Sequence, residues 1–524
     1  MEQIKPNSLF KNATWNTLNK LWVIGLMFFL TPFMIHKLGT PLYSLMVLVS
    51  SISVFMSIMN FGFGDAAVRF VAYDYAHGDI EGINLVISTS MSLFLALGLC
   101  VGTALYLGAG PVATWLGLVD HDHPLAMTLL RIAAAIFIVE TVSVLLGTIP
   151  VALQRYDITA KLSIGQSMLQ SVGTITLLWM GYQLVALMIW NFVVVVVMTI
   201  VRGVVARRVI PGIRFFPSLS RLGLRRVLSY SLYSSLTGML SIIWLHMDRV
   251  MVSAFAGPGL VAFLSIPQQL ATRGNSVATG ISGVLFPRFS SLNDDKERAR
   301  PLFLHATWIM LVVTMTLFIP AAVLLPDFLT LWINADFARQ SATVGQIILG
   351  SFIWRGAFYP VQMVFGAFNK PQYLTLYSLI NLTINFIVNV TLIPRYGLNG
   401  AGYAFLASGL TGFFFVYWAW RHLFGVSTQR FPLTTMVLPV GMGIGLLAGL
   451  MAVSEWIGPA TGWFFLVLRG GGIVTLVLAL FCLTDHLLMG RNGHFHAVRV
   501  SRNWDFLNIP LMLKKSFFSA KKVK

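Results

Sequence analysis

Charge is what this chain lacks most. Asp, Glu, Lys and Arg together make up 10% of its 524 residues, against about 25% in a soluble globular domain. Hydrophobic residues reach 57% and the mean hydropathy is +0.79, so the composition excludes a soluble fold and indicates a polytopic membrane protein. Cysteine is nearly absent: Cys100 and Cys482 both lie in apolar stretches, which excludes a disulfide framework and a cysteine-based metal knuckle. Long hydrophilic loops are also missing, so no soluble domain is inserted between the apolar segments. The chain has no phosphate-cradling glycine loop and no zinc-ligand spacing. The tract Asp120-His121-Asp122-His123 places four polar residues side by side, a spacing poorly suited to wrap one ion. No catalytic constellation, metal site or cofactor is therefore expected, and the chain does not read as an enzyme.

What remains is apolar and periodic. A hydrocarbon core about 30 Å thick requires roughly 20 apolar residues per helix. Fourteen stretches meet that need: 15–36, 41–61, 84–108, 125–150, 161–181, 183–204, 227–255, 259–287, 301–325, 342–367, 372–393, 400–420, 433–453 and 463–486. The expected class is an all-α membrane protein of about 14 transmembrane helices. The first stretch is too long for a cleavable signal and lacks a small-x-small cleavage site, so it is expected to stay.

The few charges are sorted by side. With the N-terminus, every second loop and the C-terminus on one side, that side holds 28 of the 36 basic residues. The opposite loops hold three (Lys37, Arg339 and Arg395), and five are intramembrane: Arg131, Arg249, Arg273, Arg355 and Arg469. By the positive-inside rule both termini are cytoplasmic. The +18 net charge is then a record of topology, and nucleic acid is not an expected partner. The tail beyond residue 490 is basic; from Asn503 onward it alternates Trp504, Phe506, Leu507, Leu511 and Phe517 with five lysines. Both an amphipathic segment on an anionic leaflet and a plain polar tail accommodate that pattern.

The chain also repeats itself. Ser50, Ser53, Ser57, Asn60, Gly64 and Arg69-Phe70 recur 219 residues on as Gln269, Thr272, Ser276, Thr279, Gly283 and Arg288-Phe289. Leu38-Gly39 before Tyr43 is echoed by Ala256-Gly257 before Phe263, Gln154-Arg155-Tyr156 by Asn369-Lys370-Pro371, and Met180-Gly181 by Tyr396-Gly397. These matches predict two six-helix halves in the same orientation, 1–215 and 216–425, followed by two accessory helices over 426–490 and the basic tail 491–524. The repeated polar positions follow i, i+3, i+7 spacing, so each set forms one polar face on an apolar helix, directed away from lipid. Helix packing through small residues explains the Ser and Gly positions equally well.

Arg273 and Arg355 lie near the middle of their segments, where a charge costs about 2.5–3.5 kcal/mol on insertion scales. Two readings stand. In one, they face a wet cavity with Gln269, Thr272, Ser276, Ser57 and Asn60 and bind an anionic cargo; in the other, they pair with a buried acid, Glu140 or Asp248. Glu140 cannot meet Arg131, nine residues away on the same helix and on its opposite face. It has a partner on another helix, a proton, or a role in coupling to a proton or monovalent cation. Asp248 and Arg249 read either as an ion pair locking helices or as functional groups. Trp244, Trp354, Phe358 and Tyr359 are aromatic platforms for sugar faces or for helix packing.

The segments Leu38-Gly39 to Tyr43, Asn60-Phe61-Gly62-Phe63-Gly64 to Arg69-Phe70, Asp248-Arg249, Ala256-Gly257 and Leu285-Phe286-Pro287-Arg288-Phe289 resemble those of the polysaccharide transporter family. That family includes O-antigen flippases and belongs to the multidrug/oligosaccharidyl-lipid/polysaccharide exporter superfamily. The resemblance spans most of the first ~425 residues, with Phe263 standing where members commonly carry Tyr. It implies two six-helix bundles in a V around a central cavity, with the last two helices outside. It further implies movement of an undecaprenyl-pyrophosphate-linked oligosaccharide from the inner to the outer leaflet of a bacterial inner membrane, for cell-surface polysaccharides such as those of lipopolysaccharide. Alternatives are a drug/cation antiporter of the same superfamily, which would favour acidic cavity residues, and a polytopic glycosyltransferase or polymerase, which would need a large outer loop.

The charge sorting generates a direct test. Reporter fusions at Arg207, Lys296 and Lys524 should read cytoplasmic, and fusions at Asp122 and Ala460 external; an external signal at Lys524 would remove a span or invert the orientation.

Overall fold

The computed structural model describes residues 6–57, 63–118, 123–425 and 433–489; side chains at 6–13, 16–17, 56–57, 228–235, 237, 433–436 and 485–489 are not described. Every regular element among the described residues is helical. The first group is α1 (Pro6–Ser57), α2 (Phe63–Ala76), α3 (Ile80–Leu107), α4 (Ala109–Trp115), α5 (His123–Ala152), α6 (Tyr156–Trp179) and α7 (Leu184–Val209). Next come α8 (Arg221–Ala256), α9 (Val261–Ser282), α10 (Leu285–Ser290), α11 (Lys296–Trp332), α12 (Ala335–Arg355) and α13 (Phe358–Ala367). The last are α14 (Gln372–Tyr396), α15 (Leu398–His422), α16 (Leu433–Ile457) and α17 (Trp463–Met489).

Each of the fourteen sequence stretches overlaps helix, 342–367 covering both α12 and α13, but among the described residues only ten helices are long and apolar enough to span, or eleven if the bent pair α12–α13 is one span. Two causes explain the difference. The first two stretches share α1, whose Leu18–Phe55 core counts once although Gly39 breaks it with φ 78°, ψ 158°. α6 and α9 carry too many polar residues to qualify by hydropathy.

By contact density the chain divides into two units. One comprises Met1–Arg273, Phe328–Ile348 and Lys370–Thr411; the other comprises Gly274–Asp327, Leu349–Asn369 and Gly412–Lys524. In the first unit α5 packs on α3 and α7, α1 on α6, and α8 on α14. Its tightest core joins Phe63 of α2, Ile83 and Phe94 of α3, Leu145 and Ile149 of α5, and Val227 of α8. Polar ties close one end of this core. Arg226 of α8 pairs at 3.3 Å with the buried carboxylate of Asp74 and lies over Phe70, while Asn84 holds the 212–214 turn by two hydrogen bonds. The second unit is packed through aromatic rings: Phe318 stacks on Phe352 with centroids 4.6 Å apart, and Phe415 meets both Phe358 and Phe365.

The backbone carries its own periodicity. Gly39 and Gly257 share a conformation (φ 78°, ψ 158° and φ 110°, ψ 145°) that is essentially restricted to glycine. The described non-glycine residues with positive φ are Gln154 (56°) and Asn369 (54°), and Gly181 and Gly397 are also left-handed in φ, at 84° and 55°. All three pairs are the positions matched between the halves of the sequence. Gln154 occupies the position after the last turn of α5, where its own N–H reaches Val151 O at 2.9 Å and that of Arg155 reaches Pro150 O at 2.8 Å. These two bonds form a Schellman ending, which glycine fills best. Gly39→Ala and Gly257→Ala should each destabilise the protein by about 1–3 kcal/mol, whereas Gln154→Gly should stabilise it by about 1–2 kcal/mol. Thermal unfolding of the detergent-solubilised chain, followed by tryptophan fluorescence, checks both signs.

Candidate functional site

The polar residues of the first unit form two clusters, and both arise because a polar group away from water needs a partner within the protein. The larger joins α1, α8, α9 and α14. Asp248 is fully buried, and each carboxylate oxygen accepts an amide proton: from Gln268 Nε2 at 3.0 Å and from Asn389 Nδ2 at 2.7 Å. Gln268 turns its carbonyl end to Arg249, whose Nε donates at 3.1 Å. Consecutive residues on a helix point about 100° apart, and one glutamine amide of α9 bridges Asp248 and Arg249. Arg249 Nη1 lies 3.4 Å from His246 Nδ1, and Asn389 also donates to Asn385. On the adjoining face the buried Tyr43 stands near Thr31 and Gln269.

The second cluster joins α5, α6 and α7 around Arg202. Its Nη1 donates to Ser143 Oγ at 2.6 Å and its Nη2 to Gln166 Oε1 at 2.7 Å. Glu140, one turn before Ser143 on α5, has Arg202 as its facing charge. The charge sorting had placed Arg202 in a cytoplasmic loop. The structure places it within α7, with seven helical residues still to follow. Its position inside the apolar stretch 183–204 was the available signal.

Arg273 forms no ion pair with Glu140 among the described residues. Arg273 is exposed on α9, one residue beyond Thr272, whose hydroxyl folds back onto Gln269 O at 2.9 Å. Of the repeated positions in and just after α9, Gln269, Thr272 and Thr279 are half-buried and Ser276 and Gly283 exposed, but exposure does not follow polarity along the helix: Ser265, Gln268 and Ser282 are buried, and Val277 and Ile281 are exposed. In α1, Ser50 is exposed and Ser53 half-buried, and both hydroxyls return to carbonyls one turn back. The side chain of Ser57 and the whole of Asn60 lie outside the described residues, as do Asp120, His121 and Asp122.

In the second unit Arg355 ends α12, where the chain bends by 49° into α13. The break is built by close approach to α11: a Cβ at Gly356 would collide with the Thr314 hydroxyl and the Met310 carbonyl. Thr314 Oγ1 in turn donates to Ile353 O at 3.2 Å. Arg355 is half-buried with its guanidinium over the Phe352 ring at 5.2 Å. A cation in the last turn suits the negative end of α12, and the positive end of α13 begins three residues later. Tyr359 at that end donates to Asn275. Of the other aromatic candidates, Trp244 packs on Phe405 with ring centroids 5.0 Å apart, and Phe358 packs on Phe415. Arg469 donates to Gly458 O at 2.7 Å and pairs with Asp327 at 3.4 Å.

The fold is shared with solved membrane transporters. It matches the lipid II flippase MurJ in an inward closed conformation with a TM-score of 0.71, at 13% identity over 92% of this chain and 99% of that one. It matches an inward-facing multidrug resistance MATE family transporter of the MOP superfamily with a TM-score of 0.58, at 14% identity over 84% of this chain and 96% of that one. A putative O-antigen transporter of Shigella flexneri is 23% identical over 412 residues, covering 75% of this chain and 93% of the relative. The uncharacterized membrane protein EpsK of Bacillus subtilis is 22% identical over 416 residues, or 75% and 79% of the two chains. A family model described as polysaccharide biosynthesis protein matches residues 9–293, more than half of the chain. With its many apolar helices, this multi-pass membrane protein belongs to that polysaccharide biosynthesis family.

Proposed function

We propose that this chain is a flippase for a lipid-linked oligosaccharide, carrying an undecaprenyl-pyrophosphate-anchored glycan from the inner to the outer leaflet of a bacterial inner membrane. The observation that carries this reading is Arg355 at the junction of α12 and α13. Arg355 ends α12 three residues before α13 begins, and a guanidinium and the positive end of a helix each favour an anion. A pyrophosphate crossing hydrocarbon must exchange its hydration for such groups, and the planar guanidinium fork grips two phosphate oxygens at once. Arg273, exposed on the polar face of α9 with Gln269, Thr272 and Ser276, is a second such cation. The kinship with an O-antigen transporter and the fold shared with a lipid II flippase support the same cargo class.

Two internally repeated halves, 1–215 and 216–425, with accessory helices over 426–490, agree with the matched left-handed positions 39/257, 154/369 and 181/397. Both termini belong on the cytoplasmic side by the charge sorting. Glu140, set against Arg202 and exposed, is the group for coupling to a proton or monovalent cation. Asp248 and Arg249 serve structure, since Gln268 and Asn389 satisfy the carboxylate and tie three helices. A cationic-drug antiporter would favour acidic cavity residues, whereas Arg273 and Arg355 offer cations.

Transport of the native lipid-linked glycan in proteoliposomes, at matched protein levels, tests these assignments. Arg355→Ala and Arg273→Ala should each lower the initial rate about tenfold or more, as expected for losing a charged hydrogen bond of about 1.5–3 kcal/mol. Lysine at either site should restore the rate only in part. Wild-type rates in both alanine variants would remove these arginines from the cargo path. Arg249→Gln should act differently: it leaves the buried Asp248 carboxylate short of a cation and should cost about 3–5 kcal/mol of stability, read as lowered thermal unfolding. Glu140→Gln should leave stability nearly intact and abolish the response of transport to an imposed proton or cation gradient.

A further inference from the structure

A hollow of about 370 Å³ opens on the first unit between α3, α5 and α7, well away in sequence from the residues assigned to cargo. Thr128, Arg131, Ile132 and Ala135 line it from α5, Tyr106 closes it from α3, and Ile189 and Phe192 from α7. The four α5 positions follow i, i+3, i+4, i+7 spacing and therefore share one helix face. They run from polar to apolar along the helix. Thr128 and Arg131 stand toward the His123 end, and Ile132 and Ala135 lie deeper.

Helix length sets the depth. At 1.5 Å per residue, the 30 residues of α5 extend about 45 Å, roughly 15 Å more than a hydrocarbon core. A centred α5 then leaves about one turn and a half beyond the core at each end, and Arg131 falls just inside the boundary. Side chains on a helix lean toward its N-terminus, which here carries the guanidinium toward the headgroups. Arg131 is exposed and lies over the Tyr106 ring at 5.3 Å. Stacking uses its face and leaves its N–H edge to donate. No carboxylate lines the hollow, and Arg131 forms no ion pair among the described residues.

We infer that this hollow is a binding site for an anionic phospholipid, distinct from the cargo path. The phosphodiester sits on the Arg131 edge, and one acyl chain lies along Ile132, Ala135, Ile189 and Phe192. The small side chain of Ala135 leaves room for that chain. An anionic headgroup brings no competing cation to Arg131, whereas a zwitterionic one places its own amine nearby. The hollow has the size of ordinary small-ligand sites, about 300–1,000 Å³.

Native mass spectrometry of the full chain in detergent tests the site. Matched-chain phosphatidylglycerol and phosphatidylethanolamine are compared, with inorganic phosphate as a third arm. Phosphatidylglycerol should be retained about tenfold over phosphatidylethanolamine, and phosphate should neither bind nor compete. Arg131→Gln should erase the preference between the two lipids. Ala135→Trp fills the hollow while keeping the charge, and should also lose the retained phosphatidylglycerol; Ala135→Leu, a smaller filling, covers the case in which tryptophan impairs folding. Equal retention of the two lipids by the wild type would overturn the proposal. Wild-type phosphatidylglycerol retention in both Ala135 variants would reduce it to unspecific charge attraction, and displacement by phosphate would reassign the site to a free anion.

Discussion

A polar group in hydrocarbon has no water to fall back on, and the arrangement of this protein follows from that single constraint. Many serine and threonine hydroxyls within the helices meet it locally, by returning to the carbonyl a turn earlier, as Ser50, Ser53 and Thr307 do. Amides and charges are too long or too costly for that solution. Their partners lie on other helices, so each one becomes a cross-link. Asp248 and Gln268 thus tie α8 to α9, Asn389 adds α14, and Arg202 ties α7 to α5 and α6.

The same constraint separates structural charges from those available for work. Asp248, Arg249 and Arg202 are held by short hydrogen bonds to side chains on neighbouring helices. Replacing one member of such a set leaves the others buried and unmatched, which is why stability should register the change before transport does. Arg273 sits on the open face of α9, and Arg355 sits where Gly356 lets a helix break against α11. These are the two positions proposed above for the cargo anion. Arg131 occupies a third situation, at the boundary between headgroups and hydrocarbon, where a cation stacked on Tyr106 can serve lipid rather than cargo.

Backbone conformation adds a link between sequence and fold. Gly39 and Gly257 adopt a conformation closed to other residues, and Gln154 and Asn369 share a left-handed turn that ordinary residues avoid. These features recur at matched places because each marks where a membrane helix must stop and the chain must redirect. The polar pattern of the second sequence stretch, by contrast, ends at Ser57 and Asn60, whose side chains are outside the described residues.

Much of this protein was legible in its sequence. Composition alone determined the membrane class, because hydrocarbon tolerates so few charges. Apolar run length located every helix that could span, and short glycine-containing motifs pointed to the family that the comparisons then showed. Tertiary structure decided the partners. Nothing in the sequence tells that Asp248 meets Asn389, 141 residues away, or that one glutamine bridges Asp248 and Arg249. Nor does it tell that Arg202, counted with a loop, faces Glu140. The reason is geometric: helical periodicity specifies the direction in which a side chain leaves its own helix. Which helix stands in that direction, and at what height, depends on how all the others pack.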